Sequence, residues 1–259
     1  MRDRQQTWTV PTALLCVCCA GWALAAEPPE PMENPPTDAP AAASPSKDSE
    51  TTSIMRVTKD YDLWIDVKRK LVIVDGRVCL REGQLEMFAC PKSTKEHESI
   101  VSVNCKAQFV HAALMAVGAQ PGKPVSFDPV YRPATGPVVE VYVLWQDEAG
   151  KKNRVRAQEW IKELKTQKAM EHPWVFTGSG FWTDDSTGER FYQADGGDFI
   201  CVSNFPTAML DLPIKSTQAN ESLLFAAFTE RIPPVDTKVR LVLIPQVEKK
   251  KAAGKAEKK

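Results

Sequence analysis

Histidine is scarce in this chain, with three among 259 residues. His97 and His111 therefore carry most of the imidazole chemistry open to it. Net charge is missing altogether, since 33 Lys and Arg offset 33 Asp and Glu. Without a global basic excess there is no general means of holding a phosphate backbone, so nucleic acid is not an expected partner. No internal repeat is visible. No Cys-x-x-Cys pair occurs beyond the N-terminal segment, which removes the usual redox motif and the zinc ribbon. The one long uncharged apolar run, residues 10–24, is too short for a comfortable membrane span.

That run reads instead as part of a signal peptide over residues 1–26. Arg2 and Arg4 precede it, and small residues around Ala23, Ala25 and Ala26 suit a signal peptidase. The expectation is an exported protein of the periplasm or cell envelope, with no transmembrane span in the mature chain. Residues 27–53 hold seven prolines and almost no large apolar side chain, the composition of a disordered linker. Residues 247–259 carry six lysines and read as a solvated, disordered tail. Between them, residues 54–246 form a single domain, and 43% hydrophobic residues overall suffice for its core. Cys79, Cys90, Cys105 and Cys201 remain after the signal peptide, an even number that an oxidising compartment can pair in three ways.

Within the domain, Leu63, Ile65 and Val67 alternate with polar residues, and Leu71 to Val74 is a β-rich run. Asp75-Gly76 and Glu82-Gly83 read as hairpin turns, so that residues 63–89 predict a four-strand antiparallel meander. In that register Cys79 lies opposite Glu86, and Cys90 falls more than about 10 Å further along. A disulfide needs Cα atoms within roughly 7 Å, so these two should not pair. Val103, Ala107, Val110, Leu114 and Val117 form one helical stripe, with Ser102 or Asn104 as a cap and Gly118 as a stop. Residues 157–170 show weaker helical signs. Strands follow around Val139 to Trp145, Trp174 to Trp182 and Lys238 to Ile244, and Asp195-Gly196-Gly197-Asp198 reads as a hairpin turn. The fold class expected is α+β, a mainly antiparallel sheet with one principal packing helix and shorter helices.

Candidate chemistry concentrates in residues 90–99, which hold a thiol, two lysines, a histidine, two glutamates and three hydroxyls. Cys90 can be read as a nucleophile with His97 as base and Glu98 orienting it, for acyl or thiol chemistry. His97 and His111 can be read as metal ligands, although their spacing matches no compact zinc motif. Lys95, His97, Glu98, Ser99 and His111 can be read as a ligand-binding group. Structure alone also accounts for the stretch, because Ser93 and Glu96 have capping-box spacing. The aromatic run from Trp174 to Trp182, broken by Gly178 and Gly180, suits either a core strand or a platform for sugar rings.

Phe88-Ala89-Cys90, Lys95 to Ser99, His111 to Leu114, Trp174 to Ser179 and Asp195-Gly196-Gly197 together resemble the YdjY-type exported bacterial proteins, from about residue 85 onward. The resemblance implies an exported single-domain protein and points to Cys90, Lys95, His97, Glu98 and His111 as the family-like positions. It implies no reaction. The residues favour a non-catalytic domain that binds an envelope ligand or a partner protein, with a cysteine-dependent enzyme or a metal site as the alternatives.

Overall fold

The computed structural model describes residues 53–216 and 223–247. The expected signal peptide, nearly all of the linker and nearly all of the tail lie outside the described residues. The first strands are β1 (Ile54–Arg56), β2 (Leu63–Asp66), β3 (Leu71–Val78), β4 (Met87–Pro91) and β5 (Ser99–Val103), followed by helix α1 (Ala107–Ala116). The long β6 (Val138–Gln146) and β7 (Lys152–Arg156) come next, then the short β8 (Ile161–Glu163), β9 (Trp174–Phe176), β10 (Phe181–Thr183) and β11 (Arg190–Tyr192). The chain closes with β12 (Ile200–Cys201), β13 (Leu210–Asp211), β14 (Phe225–Ala227) and β15 (Lys238–Pro245).

Eight of these strands form a closed barrel in the order β3-β15-β6-β9-β13-β12-β4-β5, with β5 returning to β3. The expectation of an α+β fold is overturned: the domain is mostly β, and α1 is the one α-helix among the described residues. Two neighbouring pairs are parallel, β4 with β5 and β12 with β13, while the rest of the barrel is antiparallel. Residues 157–170 make a single 3-10 turn and the strand β8, paired with β14 outside the barrel. Hydrophobic content alone could not separate a short buried helix from a short buried strand there.

Period-2 alternation explains the long strands. On β6 the buried residues are Val139, Val141 and Val143, and on β15 they include Val239, Leu241 and Leu243. These face inward and join Val72, Val74, Trp174 and Phe176 in one apolar cluster, which also takes the buried side of α1 (Ala107, Val110, Ala113 and Leu114). The helical stripe is thus real from Ala107 on, whereas Val103 belongs to β5. Gly118, at φ 102°, ends the helix as anticipated. The start is capped from a distance, for the Asp195 carboxylate accepts from the Gln108 amide at 3.0 Å.

The predicted turn at Asp75-Gly76 does not form, because both residues lie inside β3. The glycine serves a different purpose. A Cβ at Gly76 would sit 2.5 Å from the Ser102 carbonyl oxygen of β5, so the residue lets two backbones meet where the barrel closes. The meander is replaced by the β2–β3 hairpin and by β4 and β5 on the far side of that closure. Cys79 and Cys90 consequently flank β5, with Cys79 bonded to Ile100 and Cys90 level with Ser102. Two strand spacings, about 10 Å, keep them apart, and all four described cysteines are free thiols.

β13 buries a carboxylate in this core. Asp211 accepts from the Leu212 amide at 2.7 Å and from the Asn204 side chain at 3.1 Å through one oxygen. The Phe205 backbone also hydrogen-bonds to this carboxylate. Burial pushes the Asp211 carboxyl up to about 7, against the pull of those hydrogen bonds.

Two outcomes follow. Gly76→Ala should lower stability by about 1–3 kcal/mol in chemical denaturation, the usual cost of overpacking, while Gly196→Ala, whose Cβ would meet nothing within 4 Å, should stay near neutral. Asp211 is raised in the folded state, so its contribution is fully present below the ordinary carboxylate range and is lost as pH rises through about 7. Unfolding free energy should therefore fall between pH 4 and 7 by on the order of 4 kcal/mol. Asp211→Asn should flatten that fall, and a slope unchanged by the substitution would assign it to other groups.

Candidate functional site

The segment from Pro91 to Ser99 must carry the chain back along the whole length of β4, because β4 and β5 run parallel with Met87 level with Ser99 and Pro91 level with Val103. Its composition answers that demand. Thr94 donates to the Pro91 carbonyl at 2.5 Å, and the Ser93 amide donates to the Glu96 carboxylate at 2.5 Å, the reciprocal half of a capping box. Lys95 then lies with its aliphatic stem on Gly197, where a Cβ would come within 2.6 Å of it. Its ammonium pairs with Asp198 at 3.1 Å and Glu98 at 3.5 Å, and stands 4.4 Å from the centroid of the Phe205 ring. Burial alone would lower the Lys95 pKa, but the charge and hydrogen bond of Asp198, with Glu98 and Glu86 behind, raise it. Asp198 also accepts from the Thr207 hydroxyl.

The proposed nucleophile and base do not meet in a catalytic arrangement. Cys90 is fully buried in β4, and burial pushes its thiol up. The His97 side chain is 76% exposed, with Nε2 3.9 Å from a Glu98 carboxylate oxygen. Ser99 is buried at the start of β5. Cys79 and Cys105 are both pushed up to about 12, chiefly by burial, and burial likewise raises Cys201 well above the ordinary thiol range. A thiol held in that range is protonated at neutral pH and a poor nucleophile.

His111 lies with a different set of residues. Its ring packs edge-on against Phe176 and Tyr192, at centroid distances of 5.0 and 5.5 Å. Nδ1 is 2.9 Å from the Tyr192 hydroxyl, which itself donates to the Gly178 carbonyl at 2.9 Å. Burial lowers the His111 pKa, with the Gly178 carbonyl opposing. The expected cluster is therefore divided, Lys95, His97 and Glu98 on the return loop and His111 against β9 and β11. Among the described residues no group of three or more His, Cys, Asp or Glu is placed to hold a metal ion. The Asp195–Asp198 turn joins the two halves, capping α1 at one end and pairing with Lys95 at the other.

The aromatic run is likewise divided. Trp174 and Phe176 are core, whereas Phe181 and Trp182 are exposed on the β10–β11 hairpin, Trp182 stacked on Phe191 at 5.5 Å.

A groove of about 890 Å³ crosses the barrel's outer face. Strand register builds it. Ser102 of β5 stands opposite Arg77 of β3, Arg77 opposite Lys238 of β15, and Gln146 of β6 opposite Lys152 of β7. Adjacent strands are about 4.8 Å apart, so this row runs about 19 Å across five strands. Lys92 flanks it beyond the end of β4. The two carboxylates of the groove are already engaged: Asp75 holds Arg240 through two bonds of 2.6 and 2.8 Å, and Asp62 holds Arg56 at 3.0 Å. Arg77 donates to the Asp236 carbonyl. Among the described residues, Arg77, Lys92, Lys152 and Lys238 have no carboxylate partner. Sequence reasoning missed this feature, because its four cations lie on separate segments and only the register brings them together.

No helix of the described residues is long and apolar enough to cross a membrane. No curated protein and no solved structure matches the chain. Against models of known protein families it matches the YdjY domain over residues 63–244. That span starts at the first residue of β2, ahead of the motifs that suggested the resemblance, and ends one residue short of the end of β15, so it takes in all eight strands of the barrel. By that match the chain belongs to the YdjY domain family.

Proposed function

We propose that this is an exported protein of the cell envelope whose barrel binds an anionic ligand in the cationic groove, without covalent chemistry. The observation that carries the reading is the row of Arg77, Lys238 and Lys152, flanked by Lys92, in a concave surface of about 890 Å³. Arg77 and Lys238 are directly opposed across two strands, a like-charge pair whose mild repulsion an anion between them would relieve. A row of this length suits an extended polyanion, and in the envelope the fitting class is an acidic polysaccharide. The signal-peptide pattern of the first 26 residues supports export. The burial of Cys90 counts against a cysteine-dependent enzyme.

Three measurements test this. N-terminal sequencing of the exported product should start near Ala26 or Glu27, and an intact Met1 would defeat the export reading. In calorimetric titration with heparin as a sulfated-glycan probe, affinity should fall as salt rises. Lys238→Glu and Arg77→Glu should each weaken it about tenfold or more, the effect expected when a charge in direct contact is reversed. Equal affinity in wild type and both variants would remove the groove from consideration. Cys90 should resist a thiol reagent in the folded protein, and rapid modification would reopen the enzyme reading.

A further inference from the structure

Helix α1 places His111 and Met115 one turn apart, on the same side. The orientation of the His111 ring is fixed by its neighbours. The Tyr192 hydroxyl donates to the Gly178 carbonyl at 2.9 Å, and the tautomer that matches this has Nδ1 donating at the 2.9 Å contact with His111. An imidazole neutral at physiological pH then carries its lone pair on Nε2. That nitrogen is 3.1 Å from the Met115 sulfur. In that tautomer Nε2 and the thioether turn lone pairs toward each other, an arrangement that a soft cation between them would satisfy, whereas in the other tautomer the contact is an N–H···S hydrogen bond. Met115 is 43% exposed, and its flexible side chain is under no compulsion to point there.

Histidines that ligate metals commonly donate their second ring N–H to a fixed acceptor, which sets tautomer and orientation. Tyr192, itself anchored to Gly178, does this for His111. The donor set is one imidazole and one thioether, bordered by the rings of Phe176 and Tyr192. No carboxylate forms an ion pair or hydrogen bond with His111 among the described residues. Such a set excludes hard cations and selects a soft monovalent ion, for which thioether sulfur is a preferred ligand.

We propose that His111 and Met115 form a surface site for Cu(I), with Ag(I) as its redox-inert analogue. The ion would bridge Nε2 and the sulfur, one position remaining open toward solvent. No residue of the cationic groove takes part, so this site stands or falls apart from the groove.

The test is a titration of the purified protein, carrying 13C-labelled methionine methyls, with Ag(I) and separately with Zn(II). The Met115 methyl, assigned by its disappearance in Met115→Leu, should shift with Ag(I) and saturate at one equivalent, and should not move with Zn(II). His111→Gln should weaken that shift at least tenfold, with circular dichroism showing the fold retained. A Met115 methyl unmoved while the protein takes up silver would place the ion on the thiols and overturn the proposal. So would a shift of undiminished affinity in His111→Gln, which would describe a lone methionine rather than a two-residue site.

Discussion

The contact between the backbones of β3 and β5 at Gly76 is the constraint on which the rest of the structure depends. β3 serves three partners. Along one edge it pairs with β15, and along the other it pairs first with β2 and then, from Gly76, with β5. The change of partner occurs where a side chain would collide with the Ser102 carbonyl. Only there can the sheet return on itself, and closure is what removes the exposed strand edges that an open sheet would leave. The same contact fixes where β5 meets β3, while the β15 pairing runs on along the opposite edge. Arg77, the next residue of β3, thus stands between Ser102 and Lys238 on the outer face.

Closure imposes a second demand, a parallel step between β4 and β5. Parallel neighbours usually need a crossover of a dozen or more residues, often with a helix. Here the return is made by the short loop after Pro91, which has no helix to stiffen it beyond one 3-10 turn over Glu96–Glu98. The side chains that look like an active site do that work instead. Thr94 and Glu96 bend the loop through its own backbone, and Lys95 fastens it to the Asp195–Asp198 turn. That turn in turn caps α1 through Asp195. A dense mixture of lysine, glutamate, serine and threonine is what an unsupported return across a barrel requires, and chemistry need not be invoked for it.

How much of this could be read from the residues depended on whether the determinant was local. Alternation along β6 and β15 and the stripe from Ala107 to Leu114 are local, and they identify strands, helix and inward faces directly. Pairing partners are not local. Nothing within a few residues of Asp75-Gly76 distinguishes a glycine needed for a positive-φ turn from one needed for a close approach, because both uses exploit the missing Cβ. The parallel pairs β4–β5 and β12–β13 left no mark in the periodicity, since each strand is buried on both faces. The same holds for the candidate sites. The return loop was conspicuous because its polar residues are consecutive. His111 could be flagged as the edge of a helical face, but its partners Tyr192 and Gly178 are supplied from distant segments.

Charge distribution connects the loop to the groove. With 33 residues of each sign in the chain, any place that gathers acids leaves bases unmatched elsewhere. The fastening at Lys95 gathers Glu98 and Asp198 around one ammonium, with Glu86 close enough for burial and the Glu98 charge to raise its carboxyl. Asp195 is committed to the helix cap, and Asp62 and Asp75 are held by arginines. Carboxylates are thus drawn into structural contacts, while Arg77, Lys92, Lys152 and Lys238 stand on the outer strands without carboxylate partners. Water screens such charges well, so leaving them unpaired costs the fold little. An anion that displaces that water and spans the row gains several charge contacts at once, without first breaking an ion pair. A chain neutral in sum can in this way present a surface that is strongly cationic in one place.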